Sequence, residues 1–347
     1  MSENLSVPSG RPTRKDVALL AKVSGTTVSR VLSGNPDEAI SVKARDRVLK
    51  AARELGYTPN SAAQALRSGR SGLIGFWMCL EYSRYRSQVL AAMREILADT
   101  DYALAVTDVD NDYAWHHSFA RALRVPVEGI IAFDASTAGN AFAENSDRLA
   151  PTLPFVSMGA FWAESKSYVG VDLKAGAEMA MEHLFATGRK RIAYVVPQDP
   201  EFVAKGARFE GYHDKMINAG LEPQTIVVSP PPLGRIESIA EELKSCRDQG
   251  QLPDALFCLY DDIAVDAVVA LEYLGLRAGK DIAIIGVNGT EGTERGPCPI
   301  STVRQPIEKM CETAFRFLQA QIENPMAPLQ QVILTPELII RDSSQAG

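Results

Sequence analysis

The sequence predicts a small α-helical head of the helix-turn-helix type, followed by an α/β body with two parallel-sheet lobes. Two short helices around a tight turn, followed by a third helix, predict the head. Two successive series of strands alternating with helices predict the body. The charge changes between them: residues 1–70 contain 12 Lys and Arg but 6 Asp and Glu, whereas the whole chain of 347 residues has a net charge of −7.

A basic head on an acidic body is typical of a DNA-binding module joined to a part that does not contact DNA. The alternative is an ordinary solvated basic face. The head begins at Thr13, with Asp16 at capping-box spacing, and its predicted helices cover 16–21, 25–32 and 41–55. Small hydrogen-bonding groups and one guanidinium share a face that suits base edges and phosphates. These predicted contacts are Thr13, Ser24, Gly25, Thr26, Thr27, Ser29 and Arg30.

The body repeats one pattern twice. The first series has strands at 73–78, 103–107, 129–133 and 155–157 and helices near 84–99, 112–124 and 138–149. The second has strands at 191–196, 225–228, 255–258 and 282–286 and helices near 172–187, 203–219, 235–249 and 263–274. A strand at 301–303, a helix over 307–321 and strands near 331–334 and 337–340 follow. This alternation indicates two lobes built on parallel sheets with covered faces.

Composition excludes several classes of protein. No apolar run reaches the 18 residues of a membrane-spanning helix, so no membrane partner is expected. Residues 1–12 are predicted to be a loose tail, because this stretch is polar and lacks the apolar centre of a secretory signal. The five cysteines form no Cys-x-x-Cys pair, which indicates reduced thiols in a cytoplasmic protein.

No set of side chains predicts catalysis, and neither a cofactor nor a metal ion is expected. The four histidines lack Cys or His partners at metal-ligand spacing. The segment Gly275-x3-Gly279-Lys280-Asp281 is too short for a phosphate loop and is predicted to be a helix-to-strand turn. Two other classes of protein are weighed against a regulator, an exported solute-binding protein and a sugar-processing enzyme.

Ligands of open parallel sheets bind at the carboxyl ends of the strands. The loops there contain aromatic rings, carboxylates and amides, a mixture that suits a sugar, although a nucleoside also fits. These loop residues are Trp77, Tyr82, Tyr85, 108–111, Asp134, 159–162, Phe202, 260–262 and 288–293.

Several segments near the amino terminus follow one another in a fixed order. They are Asp16-Val17-Ala18, Val23-Ser24, Thr27-Val28-Ser29-Arg30-Val31-Leu32, Arg53-Glu54-Leu55-Gly56-Tyr57-Thr58-Pro59-Asn60, Ala63-Gln64-Ala65-Leu66 and Ser71-Gly72-Leu73-Ile74-Gly75. They resemble the lactose/purine repressor family of bacterial transcription regulators, and the resemblance extends to Ser344. It implies a body of the periplasmic-binding-protein type, with three chain crossings between its lobes. It also implies a repressor that binds near-palindromic operator DNA and responds to a small-molecule effector.

The resemblance divides the chain into a head at 13–58, a hinge helix at 59–70 and a body at 71–343. In the family, the hinge helix pairs with its twin and inserts a leucine, here Leu66, into a minor-groove base step. Asn60 and Ala63 are its other predicted DNA contacts. The alternative is that Leu66 packs on the body. The absence of a leucine heptad after Arg341 favours a homodimer over a tetramer.

Family landmarks also suggest effector-binding residues. Arg208 lies in a segment like the family's Arg-x-x-Gly-aromatic motif. Asp261, within 259–264, is assigned to the position of an effector-binding Asn, and Asn288, within 286–288, replaces the usual Asp. Trp77 and Trp162 are further candidates. Each has a simpler alternative: a surface arginine, a turn residue, or a tryptophan in the core. The proline run at 230–232 replaces a stacking aromatic, so the resemblance transfers no particular sugar.

Overall fold

The computed structural model describes residues 12–32, 40–58, 70–79, 83–109, 123–134, 152–160, 162–198, 203–229 and 234–345. Contacts divide the chain into two compact units, Met1–Ser71 and Gly72–Gly347, which we call the head and the body. Several predictions lie outside the described residues: the tail up to residue 11, most of the hinge with Asn60, Ala63 and Leu66, the helix at 138–149, and the loop residues Tyr82 and Phe202.

The head consists of α1 (Arg14–Ala21), α2 (Gly25–Leu32) and α3 (Val42–Leu55), with α2 at its predicted bounds. Ser41 caps α3, because its Oγ accepts from Ala44 N–H over 3.3 Å, and Gly56 ends the helix with φ of 62°. Valines and alanines from all three helices form the core, as their i, i+3, i+4 spacing predicts. The buried members are Val17, Ala21, Val28, Val31, Val48, Ala51 and Ala52.

The body contains twelve strands and six helices within the described ranges. The strands are β1 (Leu73–Met78), β2 (Ala103–Asp108), β3 (Gly129–Phe133), β4 (Phe155–Gly159), β5 (Ser167–Val171), β6 (Ile192–Pro197), β7 (Gln224–Val228), β8 (Ala255–Cys258), β9 (Ala283–Asn288), β10 (Ser301–Arg304), β11 (Gln331–Leu334) and β12 (Glu337–Ile339). The helices are α4 (Arg84–Ala98), α5 (Leu173–Ala186), α6 (Ala207–Asn218), α7 (Arg235–Asp248), α8 (Asp261–Tyr273) and α9 (Ile307–Glu323). None of the described helices has the length and apolarity needed to cross a membrane.

The strands form two six-stranded sheets, one for each predicted lobe. The first sheet has the order β11-β5-β4-β3-β1-β2 and is parallel throughout, with α4 and α9 packed on it. The second has the order β12-β10-β9-β8-β6-β7, with α5, α6, α7 and α8 around it. Its edge strand β12 is antiparallel to β10. The two-lobed α/β architecture is therefore confirmed.

The chain passes between the lobes three times, as the resemblance implies. The crossings lie between β5 and α5, between β10 and α9, and between β11 and β12. They are bonded to one another: Asp172 N–H donates to Leu334 O over 2.9 Å, and Arg304 pairs with Glu337 over 2.6 Å. The two lobes are therefore joined by a shared hinge of three chain segments, which is distinct from the hinge helix predicted at 59–70. The carboxyl ends of the strands lie near this shared hinge.

Two predictions of secondary structure need correction. The strand β5 was not predicted, because Ser167 and Gly170 interrupt a short apolar run that length alone cannot distinguish from a loop. The helix expected near 112–124 does not include its last two residues, since 123 and 124 lie in a turn, and its other residues lie outside the described ranges.

Candidate functional site

The helix α2 turns a hydrogen-bonding face outward. Thr26 and Arg30 are exposed, whereas Val28 and Val31 are buried on the opposite face. Ser24 caps the helix, because Thr27 N–H donates to Ser24 Oγ over 3.1 Å, and the two hydroxyl oxygens lie 2.9 Å apart. Ser24 and Thr27 therefore position the first turn of α2, while Thr26 and Arg30 remain accessible to a ligand.

The start of α1 adds a second cation to this face. Thr13 N–H and Thr13 Oγ–H both donate to Asp16 Oδ2 over 2.7 Å, which lowers the pKa of the Asp16 carboxyl. The Arg14 guanidinium donates from Nη1 to Ser29 Oγ over 3.1 Å, and its Nε would lie 3.5 Å from a Cβ on Gly25. Arg14 is not among the predicted DNA contacts, although its position directly after the capping residue Thr13 is a signal present in the sequence. The DNA contacts of Thr13, Ser24, Gly25, Thr26, Thr27, Ser29 and Arg30 stay predictions.

The candidate effector site is a set of side chains from both lobes, Tyr85, Asp134, Tyr194, Arg208 and Tyr260, which we call the interlobe cluster. Burial raises the pKa of Tyr85, of Tyr194 and of Tyr260, while the positive charge of Arg208 acts on all three hydroxyls in the opposite direction. That charge acts on first-lobe Tyr85 and on two second-lobe tyrosines, so the three hydroxyls lie within electrostatic range of one guanidinium.

Asp134 stands at the carboxyl end of β3 in an unusual conformation. Its φ is 42°, a left-handed value that Asp tolerates better than most residues, and its Oδ1 accepts from Ala160 N–H over 2.6 Å. The carboxylate approaches Gly159 so closely that a Cβ there would lie 2.2 Å from Oδ1. Gly159, with φ of 110°, is therefore required to hold Asp134 at the edge of the sheet.

Asp261, a predicted effector ligand, is engaged by hydrogen bonds within the second lobe. Its carboxylate is fully buried and already accepts three hydrogen bonds, from Thr290 N–H at 2.6 Å, Thr290 Oγ at 3.0 Å and Thr302 Oγ at 2.6 Å. Burial raises its pKa to about 7. The family motif Ala-Asn-Asp-x-x-Ala, when set against Leu259-Tyr260-Asp261-Asp262-Ile263-Ala264, places Tyr260 at the Asn and Asp261 at the Asp. Tyr260, half-buried at the start of α8, is therefore the residue that belongs to the interlobe cluster.

Both predicted tryptophans make packing contacts near the ends of strands in the first sheet, and their contacts with an effector stay predictions. Trp77 is 1% exposed and packs edge-on against Phe155, with ring centroids 6.5 Å apart. Trp162 stacks on Tyr168 at 5.4 Å and covers Gly170, where a Cβ would lie 2.8 Å from the indole. Both rings lie on one face of the sheet because strand side chains alternate, and they pack there as core and covering groups.

Asn288 is held at the end of β9 by a residue that sequence reasoning missed. Its Oδ1 accepts from Gln305 Nε2 over 2.9 Å, and its carbonyl oxygen accepts from Gln305 N–H over 3.2 Å. Asn288 has φ of 116°, so its backbone is strained and needs these bonds. Gln305 lies on the crossing between β10 and α9, and this link joins the candidate site to the hinge. The only sequence signal was its position before Pro306, after a strand.

Contacts between the lobes lie at the amino-terminal end of α4. Arg84 Nε lies 3.6 Å from Asp262 Oδ1, and Glu291 N–H donates to Gln88 Oε1 over 3.3 Å. Arg235 pairs with Asp266 and also donates to the carbonyl oxygen of Asp262 over 3.2 Å. A chain of ionic groups therefore links α4, α8 and α7 across the two lobes.

The glycine-containing segment at 275–281 and the adjacent carboxylates of Asp261 and Asp262 both have structural roles. The segment containing Gly275 and Gly279 is the turn between α8 and β9, with φ of 72° and 81° at the two glycines. The carboxylates of Asp261 and Asp262 have separate partners, so they do not form an acid pair. Within the described ranges, no three His, Cys, Asp or Glu side chains are arranged to hold a metal ion.

A helix-turn-helix head together with a two-lobed body whose lobes share a polar cluster defines a class of protein, the ligand-responsive DNA-binding proteins. Comparison with known proteins agrees. The description "Bacterial regulatory proteins, lacI family" matches residues 13–60, and "Periplasmic binding protein-like domain" matches residues 181–344. The chain therefore combines a DNA-binding domain of the lacI regulatory type with a periplasmic-binding-protein-like domain, and it is a DNA-binding transcriptional regulator.

Individual relatives extend over nearly the whole chain. The HTH-type transcriptional repressor MelR of Bacillus subtilis is 28% identical over 344 residues, which cover 95% of this chain and 96% of that protein. The structure of the lac repressor dimer bound to operator and the anti-inducer ONPF is similar, with a TM-score of 0.79, 24% identity and coverage of 96% and 99% of the two chains. The transcriptional regulator CelR–cellobiose complex has a TM-score of 0.67, 23% identity and coverage of 96% and 100%.

Proposed function

We propose that this protein is a homodimeric transcriptional repressor of the bacterial cytoplasm whose affinity for a near-palindromic operator is controlled by a sugar or sugar derivative. The effector binds between the two lobes of the body and contacts the interlobe cluster. The observation that carries this proposal is a set of buried donors from both lobes that lack a partner among the described residues, namely the hydroxyls of Tyr85 and Tyr194 and Nε of Arg208.

The relatives support each part of the proposal. MelR is named a repressor, the lac repressor is a dimer on its operator, and CelR is complexed with cellobiose. In this protein, the exposed face of α2 would lie in the major groove, and two heads would read two half-sites. The hinge segment would contribute the minor-groove contacts of Asn60, Ala63 and Leu66.

Ligand control follows from a difference in affinity between two lobe arrangements. A ligand that contacts both lobes binds the arrangement that brings its partners together, and so it shifts the population toward that arrangement. The shared hinge, in which Gln305 bonds Asn288, connects that movement to the three crossings. The dimer contact and the hinge helices would then transmit it to the heads.

Operator binding by the purified full-length chain tests the proposal. We expect retardation of selected operator DNA in the presence of heparin competitor, with a steep dependence on salt, because phosphate contacts release counterions. A solute-binding protein or a sugar-processing enzyme gives no retardation. A panel of sugars and nucleosides is then added to the complex. A change in operator affinity with at least one sugar supports ligand control, and a change with nucleosides alone contradicts the sugar assignment.

A further inference from the structure

Three buried hydrogen-bonding atoms of the interlobe cluster lack a partner among the described residues. They are the hydroxyls of Tyr85 and Tyr194 and Nε of Arg208. Tyr85 is 5% exposed and Tyr194 is fully buried. Burial of a polar atom without a partner is unfavourable, and folded proteins rarely leave such atoms together unless a ligand or water completes them. All three can donate a hydrogen bond, so the missing partner must offer acceptors.

The absence of a carboxylate partner among the described residues distinguishes Arg208 from three other arginines near the site or the shared hinge. Arg84 lies beside Asp262, Arg235 pairs with Asp266, and Arg304, on the hinge, pairs with Glu337. No ion pair neutralises Arg208 within the part of the chain that the structure describes. Arg208 is half-buried, and a guanidinium with one buried nitrogen and no carboxylate partner is suited to a ligand group of opposite charge.

The nearby carboxylates of the second lobe are already used. Asp261 accepts three bonds from Thr290 and Thr302, while Asp262 and Asp266 lie beside arginines. Asn288 is uncharged, and its Oδ1 accepts from Gln305. Among the described residues, the second-lobe side of the site therefore offers a cation and hydrogen-bond donors but no unpaired anion.

The first lobe supplies a complementary acceptor. Asp134 faces the site beside Tyr85, whose pKa rises with burial and with the negative charge of Asp134. One oxygen of Asp134 accepts from Ala160 N–H, as described above. A carboxylate on this side suits a hydroxyl donor of the ligand, whereas it would repel a ligand anion. The two walls therefore differ in charge, and a ligand that is polar at one end and anionic at the other matches both.

We propose that the effector is a polyol of about monosaccharide size that carries a carboxylate or a phosphate, and that Arg208 binds this anionic group by paired hydrogen bonds. The guanidinium matches the planar, bidentate geometry of both groups. Tyr85 and Tyr194 donate to the same end of the ligand, and Asp134 accepts from a hydroxyl at the other end. This inference rests on the proposed effector site between the lobes and names the chemistry of its ligand.

Binding of matched ligands by the full chain tests the assignment. Isothermal titration calorimetry compares each neutral hexose with its hexuronate, its aldonate and its 6-phosphate, with glucose, galactose and mannose as parents. We expect at least one acid to bind tenfold or more tightly than its neutral parent. Comparison of the hexuronate and aldonate with the phosphate identifies the anion. A neutral sugar that binds as tightly as all its acids, or the absence of binding by every acidic probe, overturns the proposal.

Variants of Arg208 test whether this residue causes the preference for acidic over neutral ligands. Arg208→Gln should reduce the ratio of acid to neutral affinity to within threefold. Arg208→Lys should retain part of the preference for acids, because Lys keeps the positive charge but cannot form the paired hydrogen bonds of a guanidinium. Arg277→Gln is the matched control, since Arg277 is exposed and pairs with Asp281. Without ligand, Arg208→Gln should melt at the same or a higher temperature, because it removes a half-buried charge that has no ion-pair partner among the described residues. An acid preference that survives Arg208→Gln contradicts the proposal.

The operator assay separates this inference from the proposed function. If an acid binds through Arg208 but leaves operator affinity unchanged, the ligand chemistry stands and ligand control of DNA binding fails. If a neutral sugar releases or tightens the operator while no acid does, ligand control stands and the inference fails.

Discussion

Asp261 and Asp262 are neighbours with the same chemistry, yet the structure gives them different roles. Asp261 is enclosed by Thr290 and Thr302, whereas Asp262 lies 3.6 Å from Arg84 of the other lobe. Burial raises the pKa of both carboxyls, and the charge of Arg84 opposes this for Asp262. Of two adjacent carboxylates at the start of α8, the first therefore forms hydrogen bonds within its lobe and the second contacts the other lobe.

The raised pKa of Asp261 predicts a pH-dependent stability. With a pKa of about 7, the folded protein holds this proton between about pH 4 and 7, where the unfolded chain has released it. Stability therefore falls as the pH rises through that window. In Asp261→Asn, the decrease in the free energy of unfolding between pH 5 and pH 8 should be smaller than in the wild type by about 2–4 kcal/mol. Urea denaturation at pH 5 and 8 measures it.

The substitution is compatible with the site, because an amide can accept from Thr290 and donate to the hydroxyl oxygen of Thr302. Asp248→Asn, at an exposed carboxylate on α7, is the control and should leave the pH dependence as in the wild type. A pH dependence that is the same in Asp261→Asn and the wild type would show that this carboxyl is ionised in the folded protein.

Asn288→Asp restores the residue usual in the family and adds a negative charge beside the effector site. The Asp can still accept from Gln305 Nε2 and tolerates the strained backbone. We expect affinity for acidic probes to fall several-fold more than affinity for neutral sugars, because like charges repel. Calorimetry on the same ligand pairs measures the ratio. Equal losses for acidic and neutral probes would place Asn288 away from the anionic group.

On the head, Arg30 is the exposed cation of α2. Arg30→Ala should weaken operator binding by about 1–3 kcal/mol and relax the preference at one base pair per half-site if the guanidinium reads a guanine edge. If it binds only phosphate, the loss of affinity is uniform across operator variants, and the slope of log affinity against log salt concentration falls in magnitude by about one. Fluorescence anisotropy on single-base operator variants distinguishes them, with Arg295→Ala on the body as the control. An unchanged affinity removes Arg30 from the DNA interface.

At the scale of elements, the beginning of α4 contacts the second lobe through an ion pair and a hydrogen bond. Arg84→Ala should change effector affinity by about two- to fivefold while the free energy of unfolding changes by less than about 1 kcal/mol, because an exposed pair contributes little to stability. Its side chain is 45% exposed, so most of the effect should concern the lobe arrangement.

Lys309→Ala is the matched control, because Lys309 pairs with Glu312 inside α9 and links no second lobe. Calorimetry and urea denaturation of both variants give the two quantities. A loss of stability in Arg84→Ala that is larger than its change in effector affinity would identify the ion pair as ordinary packing.

At the scale of the whole molecule, the prediction concerns the coupling of body to DNA through the hinge segment. Leu66→Ala should reduce specific operator affinity and DNA bending together, because an apolar wedge lost from the minor groove removes the kink that it sustains. Effector affinity and the melting temperature of the body should stay near the wild-type values. Circular-permutation bending assays and calorimetry measure the two effects, and an earlier melting transition with unaltered bending would show that Leu66 is a core residue.

Much of the architecture follows from the sequence. The spacing of Val28, Val31 and Leu32 defines the core face of α2, and Ser41 with Gly56 bounds α3, because caps and helical periodicity act over a few residues. The same local signals, repeated twice along the body, predict two parallel sheets. The family motifs also select Arg208, which lies in the first turn of α6, and Asn288, which is the last residue of β9.

Only the tertiary structure decided which of these side chains remain available to a ligand. A tryptophan at the end of a strand and one in the loop after a strand look alike in sequence as candidate ligands, yet Trp77 and Trp162 both pack on one face of a sheet. Asp261 is saturated by threonines 29 and 41 residues away, while Arg208 meets a tyrosine from the other lobe. Such partners come from distant segments that only the fold brings together. The periodicity of a sequence reflects local structure, so it does not predict these contacts.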